Sequence, residues 1–363
     1  MASKVIGNAL QCPSWAFGGI GTIRHARSFA TGGLHTFRPT SSPELDGLLN
    51  SFRDNIFIPS HLPKRYRDVI YKTKSNPLLS PDAEPKFVDI PCGNGESIKY
   101  RLTPIDRLKD EPASRMRELL DLMKVPGDFD VIPPFLEGLH HARRKLTKSD
   151  LEKTARRANV AGRHDIILEC ARRVKTTGFI LKHLPVAREA IRGPYLQAKR
   201  GNSSEVKKAL SQAEQIIELL ESPAHTKGKR VEPTDPRAQP DIIGVVLAIA
   251  AIQASKHNGG SDIDGKVAMY ANRMRGTWVN SDLMVQPPQG QRRKNQDFNQ
   301  KLMAWVPVLD GLRLAMDVLG AESAEGVWFS EVIPQIEGEL KRARSNVDGR
   351  GRASLAYDIL MGK

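Results

Sequence analysis

Residues 155–179 read ARRANVAGRHDIILECARRVKTTGF, and this stretch decides the fold of the chain. A glycine that follows an apolar-periodic segment is typical of a helix C-terminus, so Gly162 predicts that one helix ends there. A second helix opens near His164. Its apolar side chains recur at helical spacing and share one face: Ile166, Ile167, Cys170, Ala171 and Val174. Two short helices joined by a tight turn make a helical hairpin.

Charge in and around this hairpin is nearly all positive. Segment 143–175 holds 11 Lys and Arg against four Asp and Glu, a net charge of +7 in 33 residues. The whole chain of 363 residues has a formal net charge of +14. A concentration of this kind indicates a polyanionic partner such as nucleic acid. The alternative is a solvated helix face in a generally basic protein.

A second basic cluster lies closer to the N-terminus. Segment 61–74, HLPKRYRDVIYKTK, combines five Lys and Arg with two tyrosines, a composition suited to phosphate contact and base stacking. The alternative is a solvated helix whose tyrosines pack inward. Together the two clusters predict the RNA-binding residues Lys64, Arg65, Arg67, Arg143, Arg144, Lys145, Lys153, Arg156, Arg157, Arg163, Arg172, Arg173 and Lys175.

The first residues have the composition of a targeting leader. Residues 1–43 contain no Asp or Glu, while Lys4 and several arginines supply positive charge among Ser, Thr, Ala and Gly. This pattern predicts import into the mitochondrial matrix, and the run RSFA at 27–30 predicts a presequence of residues 1–29. A secretory signal needs a continuous apolar region, which polar residues and glycines interrupt here. The remaining chain would still carry a net charge of +11, since the leader holds three of the 14 excess positive charges.

Residues 30–131 are rich in proline and predict an extended basic arm with short helices. One helix should begin at Ser42, with Pro43 in its first turn. Its apolar residues fall at the spacing of one helical face: Leu45, Leu48, Leu49 and Phe52. Segment 86–105 predicts one β-hairpin that turns at 93–95, because Gly-Asn-Gly is turn chemistry.

Helix signals dominate from residue 132 onward, so the fold class is all-α. We expect basic helical hairpins over 132–225, a basic proline-containing linker over 226–240, and further hairpins with a basic tail over 241–363. Ser149 and Glu152 form a capping-box pattern at the first of these helices. The longest apolar run, 242–252, is too short to cross a bilayer and predicts a buried helix. An open hairpin array and an irregular bundle both satisfy this pattern.

One hairpin resembles a known repeat. The residues that carry the resemblance are Leu151, Ala155, Ala158, Ala161, Gly162, Arg163, Asp165, Leu168, Glu169, Ala171, Val174, Lys175, Gly178 and Phe179. On them, segment 149–183 resembles a pentatricopeptide repeat, a helix-turn-helix unit that stacks into a solenoid, with more degenerate hairpins following. Family members that read bases carry small polar or acidic residues where this chain has Lys153 and His183. The resemblance therefore implies contact with the RNA backbone instead of base-specific reading.

A leader, a basic arm and irregular hairpins together resemble the lineage-added, fungal-type proteins of mitochondrial ribosomes. That resemblance implies a structural component that binds ribosomal RNA and neighbouring ribosomal proteins, with the large subunit favoured. Two alternatives stay open: a mitochondrial RNA-processing or translation-activating factor, and an assembly scaffold for respiratory complexes.

The sequence offers no catalytic or metal site. His140 and His141 lack the HExxH spacing that places two imidazoles on one helix face. Segment 259–265, GGSDIDG, lacks the first and last ligands of a calcium loop and predicts a turn with an N-cap. We therefore expect no enzyme activity, no cofactor, no small-molecule substrate and no transmembrane segment.

Overall fold

Helices and one small hairpin make up the part of the chain that the computed structural model describes, residues 34, 36–72, 76, 78, 84–91, 97–105, 112–226, 228, 230–285, 291–347 and 351–362. The all-α fold class is confirmed, and the elements enclose a connected apolar core. Two predicted features lie outside the described residues: the leader 1–29 and the turn at 93–95.

The first described helix begins where the sequence predicts. Helix α1 spans Pro43–Phe52, and the Ser42 side chain accepts a hydrogen bond from the backbone N–H of Leu45 at 3.1 Å. The four apolar residues predicted to share one face are all buried: Leu45, Leu48, Leu49 and Phe52. Phe52 packs edge-on against Phe135, with ring centroids 4.9 Å apart, which fixes α1 to the helical body.

The rest of the proline-rich segment alternates short helices with the predicted hairpin. Its elements are a π-helical turn (Arg53–Phe57), α2 (Ile58–His61), α3 (Lys64–Ile70), β1 (Phe87–Pro91), β2 (Ser97–Arg101) and α4 (Pro112–Leu122). The two strands pair antiparallel, with Val88 opposite Tyr100. Pro43 and Pro59 lie in the first turns of α1 and α2, where a missing N–H costs nothing. Some prolines of this segment therefore lie at the starts of helices.

The basic region folds as the predicted hairpin, with one correction at its start. Its elements are a 3-10 turn (Pro126–Val131), α5 (Ile132–His141), α6 (Lys148–Val160), α7 (His164–Arg172) and α8 (Val174–Thr177). The predicted cap of α6, Ser149 with Glu152, is wrong, because Thr147 caps the helix and Asp150 completes the box. Asp150 accepts the Thr147 N–H at 3.1 Å, and the Thr147 hydroxyl accepts the Asp150 N–H at 3.2 Å.

Helices α5 and α6 end in the same way but with different residues. At α6, a 2.8 Å backbone hydrogen bond from Arg163 closes the turn around Gly162, whose φ is +74°. At α5, the Arg144 N–H bonds to the Leu139 carbonyl at 2.9 Å, and the left-handed residue is Arg143 with φ +55°. Glycine adopts this conformation freely, whereas an L side chain adopts it at about 1–2 kcal/mol. Arg143 therefore holds strain at the end of α5.

The C-terminal half is a bundle around one buried helix. Its helices are α9 (Leu184–Arg200), α10 (Ser203–Glu221), α11 (Pro240–His257), α12 (Lys266–Thr277), α13 (Gln291–Leu319), α14 (Ala324–Ser345) and α15 (Arg352–Leu360). Residues 240–254 of α11 are all buried, and α11 contacts α9, α10, α12 and α13. These contacts join α11 to its hairpin partner α12 and to the adjacent hairpins of the chain, which agrees with the predicted all-α array of helical hairpins.

Helices α11 and α13 approach each other closely. A Cβ atom added to Gly311 would lie 2.5 Å from the Cβ of Ala248, so only glycine fits at this crossing. The buried run 242–252 lies within this contact, as the sequence predicts. Within the described ranges, no helix combines the length and the apolar character needed to cross a bilayer.

A polar stripe on one face of α9 joins it to α11 and α13. The stripe consists of Arg188, Arg192, Tyr195 and Lys199, which follow helical spacing. Arg188 donates to the buried Asp241 at 2.6 and 3.1 Å, and to Asp282 at 2.6 Å. Burial alone would lower the pKa of Arg188, but the carboxylates of Asp241 and Asp282 raise it well above its ordinary value. The guanidinium is therefore fixed as a cation.

The other three residues of the stripe bond to polar groups of α13. Pro307 has no backbone N–H, so the carbonyl of Met303 one turn earlier lacks its helical donor. The Arg192 guanidinium donates to that carbonyl. Further along, Tyr195 and Lys199 both donate to Asp310, each at 2.9 Å. Each polar group of the stripe thus has a defined partner on another helix.

We predict that Arg188→Met lowers the free energy of unfolding by about 3–5 kcal/mol, because it leaves Asp241 buried without its cation. Adding Asp241→Asn should recover a large part of that loss, since no unpaired charge then remains. Urea unfolding measures both. Arg313→Met is the control, because the Arg313–Glu337 pair is about one third exposed and should contribute less than about 1 kcal/mol. A double variant no more stable than Arg188→Met would contradict this explanation.

We predict that Arg143→Gly raises the free energy of unfolding by about 1 kcal/mol, because glycine relieves the left-handed strain. Thermal unfolding measures the change. Arg144→Gly is the matched control: it removes a neighbouring arginine without relieving a left-handed residue, so it should not stabilise the protein. Equal shifts for the two variants would show that strain at residue 143 is not the cause.

Candidate nucleic-acid interface

The predicted RNA-binding residues other than Arg172 fall into two groups that the sequence does not distinguish. In the first group, a carboxylate of the protein binds each side chain: Arg156, Arg157, Arg163 and Arg173. Arg156 pairs with Glu152 at 3.4 Å one turn earlier on α6, while Arg157 pairs with Asp121 on α4. Internal ion pairs therefore offset a large part of the charge counted over 143–175.

Arg163 shows how tightly this first group is held. Its guanidinium donates to Asp130 at 2.6 Å, to Asp165 at 3.1 Å and to the carbonyl of Pro126 at 2.8 Å. Burial alone would lower the pKa of Arg163, but its bonds to Asp165 and Asp130 raise it. These contacts fix the 3-10 turn before α5 onto the α6–α7 turn, so Arg163 has a structural task.

Arg173 and Arg172 are also engaged. Arg173 binds the buried Glu137 on α5 and, at 3.0 Å, Glu169 on its own helix. Arg172 is exposed but donates to the side-chain oxygen of Gln215 on α10. Both residues thus connect α7 to its neighbours.

The second group consists of cations with no carboxylate partner among the described residues: Lys64, Arg65, Arg67, Arg143, Arg144, Lys145, Lys153 and Lys175. Arg144 and Lys153 are half-buried, and the others are exposed. A cation that the fold leaves uncompensated is free to neutralise an external anion without breaking an internal pair. This group therefore carries positive charge that no described carboxylate pairs.

Four uncompensated cations surround one cleft of about 560 Å³. Arg144 and Lys145 come from the α5–α6 loop, Lys175 from α8, and Lys182 from the loop before α9. We call these four residues the cleft rim. The floor of the cleft is aliphatic and consists of Leu136, Leu139, Leu146, Leu151, Val174 and Ile180. Among the described residues that line the cleft there is no Asp or Glu.

The structure brings the α3 cations to the same side of the molecule. The His61 ring, at the end of α2, stacks on the His141 ring at the end of α5, with centroids 4.1 Å apart and planes 14° apart. His141 also shares a 3.1 Å hydrogen bond with the Ser60 hydroxyl. Burial, and then the charge of His140, lower the pKa of His141, which favours a neutral stack. Helix α3, with its basic residues, therefore starts beside the α5–α6 loop. Arg65 lies over the Tyr66 ring at 4.6 Å.

A buried histidine holds one wall of the cleft. His225 Nδ1 accepts the backbone N–H of Leu181 at 3.1 Å, so Nε2 carries the proton and donates to the Ala171 carbonyl at 3.0 Å. Burial lowers the pKa of His225, in agreement with this neutral tautomer. The loop that carries Ile180 and Lys182 is thereby tied to α7.

Sequence reasoning missed Lys182 and the aliphatic floor. Lys182 lies outside the helices that carry the basic pattern, and the floor combines residues from three helices and two loops. The apolar run Phe179-Ile180-Leu181 is the local signal that could have pointed to this loop.

No group of three or more His, Cys, Asp or Glu side chains in the described ranges is placed to hold a metal ion. The loop 259–265 acts as the predicted N-cap, because Asp262 accepts the backbone N–H groups of Val267 and Ala268 at 3.0 Å each. Cys170 is fully buried, and burial raises the pKa of its thiol well above the ordinary value.

Two comparisons with known proteins bear on this surface. A protein of Neurospora crassa named small ribosomal subunit protein mS27 is 33% identical over 196 residues, which are 53% of this chain and 48% of that relative. The aligned part thus spans about half the length of the relative. Its name places it in the small subunit, so the expected preference for the large subunit is not supported. The resemblance to pentatricopeptide repeats is not confirmed by either comparison.

The second comparison covers most of the chain. A family model described as mitochondrial ribosomal protein mS27 matches residues 24–358, which include all helices from α1 to α14 and most of α15. The match thus takes in both basic clusters and the bundle that supports them. This chain belongs to the mitochondrial ribosomal protein mS27 family.

Proposed function

We propose that this chain is a structural protein of the small subunit of the mitochondrial ribosome and works in the mitochondrial matrix. Membership of the mS27 family and the small-subunit name of the Neurospora crassa relative support the assignment. The acid-free composition of residues 1–43 supports import. The division into a leader (1–29), an arm (30–131), basic hairpins (132–225), a linker (226–240) and a C-terminal part (241–363) belongs to the same proposal.

The protein binds ribosomal RNA through the uncompensated cations. The observation that carries this step is the cleft rim, because Arg144, Lys145 and Lys175 surround one opening without a carboxylate among its lining residues. Neutralising a phosphate with a free cation releases condensed counterions, which favours binding. An arginine that already has a carboxylate partner must lose that pair first. Arg156, Arg157, Arg163 and Arg173 therefore position the surface, and the unpaired cations contact RNA.

We predict that the tagged protein sediments with the small subunit from gently lysed mitochondria and that RNase treatment releases it. A variant with Arg144, Lys145 and Lys175 changed to Gln should leave the subunit at a lower salt concentration than the wild type. The reason is that each lost phosphate contact reduces the slope of log K against log salt by about 0.7–0.9.

The matched control changes Arg200, Lys207 and Lys208 to Gln. These three cations are exposed at the end of α9 and near the start of α10, they do not line the cleft, and their replacement removes the same total charge. The control should follow the wild type through the salt series. Equal release of both variants would mean that net charge, and not the cleft rim, governs association. Sedimentation near the top of every gradient would exclude the ribosomal assignment itself.

A further inference from the structure

We infer that the cleft receives a single RNA nucleotide, with its base against the aliphatic floor and its flanking phosphates on the cleft rim. This inference rests on the proposed function and adds a defined contact to it. The cleft volume of about 560 Å³ lies in the usual range for small-ligand pockets and accommodates one nucleotide with water.

The floor provides an apolar surface that nothing in the described chain covers. Within the floor, Leu136, Leu139 and Leu151 are buried, while Leu146 and Ile180 are half-buried and hold its exposed apolar area. Half-exposed aliphatic groups at the base of a polar opening gain free energy when an apolar ligand removes them from water. The flat face of a nucleobase is such a ligand, and every base has one.

The rim provides cations on both sides of the opening. Arg144 and Lys145 lie on the α5–α6 side, and Lys175 and Lys182 on the α8–α9 side. A nucleotide within an RNA strand matches this arrangement, because its apolar base lies between two phosphates. The His61–His141 stack brings the α3 cations beside the α5–α6 loop, so positive charge extends past the cleft in the way a strand requires. An acidic peptide would need cations only at its few carboxylates.

The walls are held in place before any ligand arrives. On one side, the backbone bond from Arg144 to Leu139 at 2.9 Å closes the end of α5. On the other side, His225 holds the backbone of Leu181, and the Thr177 hydroxyl donates to the Cys170 carbonyl at 2.7 Å. A preformed site loses little conformational entropy on binding. Backbone strain is also common at functional positions, and the strained Arg143, with φ +55°, directly precedes Arg144 of the cleft rim.

The test compares two RNA probes on the purified full chain. One probe is an oligouridylate of about ten nucleotides, and the other is the same oligomer with its bases replaced by abasic sites. We expect the wild type to bind the first about five- to tenfold more tightly, because only the first can bury a base on the floor. Ile180→Trp, which adds an aromatic face to the floor and keeps the rim, should bind the first probe more tightly than the wild type does and the second probe with unchanged affinity, because bases stack on tryptophan. Val160→Trp, on an exposed position of α6, should behave as the wild type.

The results separate this inference from the proposed function. Equal binding of both probes by the wild type overturns the nucleotide site, and so does an absence of binding to either probe. In both cases the sedimentation experiment still decides the ribosomal role independently. Because the comparison of probes uses the unaltered protein, it remains decisive even if Ile180→Trp fails to fold.

In intact small subunits, a photoreactive residue at position 180 should crosslink to RNA. A crosslink to a protein there overturns the inference and assigns the cleft to a peptide.

Discussion

The ion pair between Arg188 and Asp241 is the constraint on which the rest of the structure depends. Asp241 is almost fully buried at the start of α11, the helix that other helices surround on all sides. A carboxylate in that position requires a cation, and Arg188 supplies it from α9. Next to it, Arg192 binds the carbonyl that Pro307 leaves without a donor. Helix α9 is thereby fixed to the bundle, and α6 and α7, which pack on α9, are fixed with it.

The packing of the helices determines which basic side chains have an internal carboxylate partner and which do not. The carboxylates of Asp121, Asp130 and Glu137 bind arginines of the basic hairpin, although they lie outside the segment whose charge is so high. The cations left over collect around the cleft and beside α3, where they face solvent. Charge that the fold compensates maintains shape, while charge that it leaves uncompensated carries the proposed contact with ribosomal RNA. Membership of a ribosomal protein family supports that proposal, since ribosomal RNA is a polyanion.

Local signals predicted local structure well. The buried face of α1, the glycine end of α6 and the buried course of α11 all follow from spacing over fewer than 20 residues. Predictions were wrong or missing where the local structure depends on residues that are distant in the sequence. The sequence holds two capping-box patterns with the same spacing, Thr147 with Asp150 and Ser149 with Glu152, and spacing alone does not choose between them. The structure forms the first, in which Asp150 is buried. The cleft needed the loop carrying Lys182 to fold beside α5, and no pattern within either segment specifies that meeting.

The central claim is that uncompensated cations, and not the paired arginines, contact ribosomal RNA. Ultraviolet crosslinking of intact small subunits, with the modified peptides located by mass spectrometry, tests it most directly. We expect nucleotide adducts on segments 143–146, 175–182 and 64–67, and none on Arg157 or Arg163. Adducts confined to the α6–α7 arginines, with the cleft unmodified, would contradict the account.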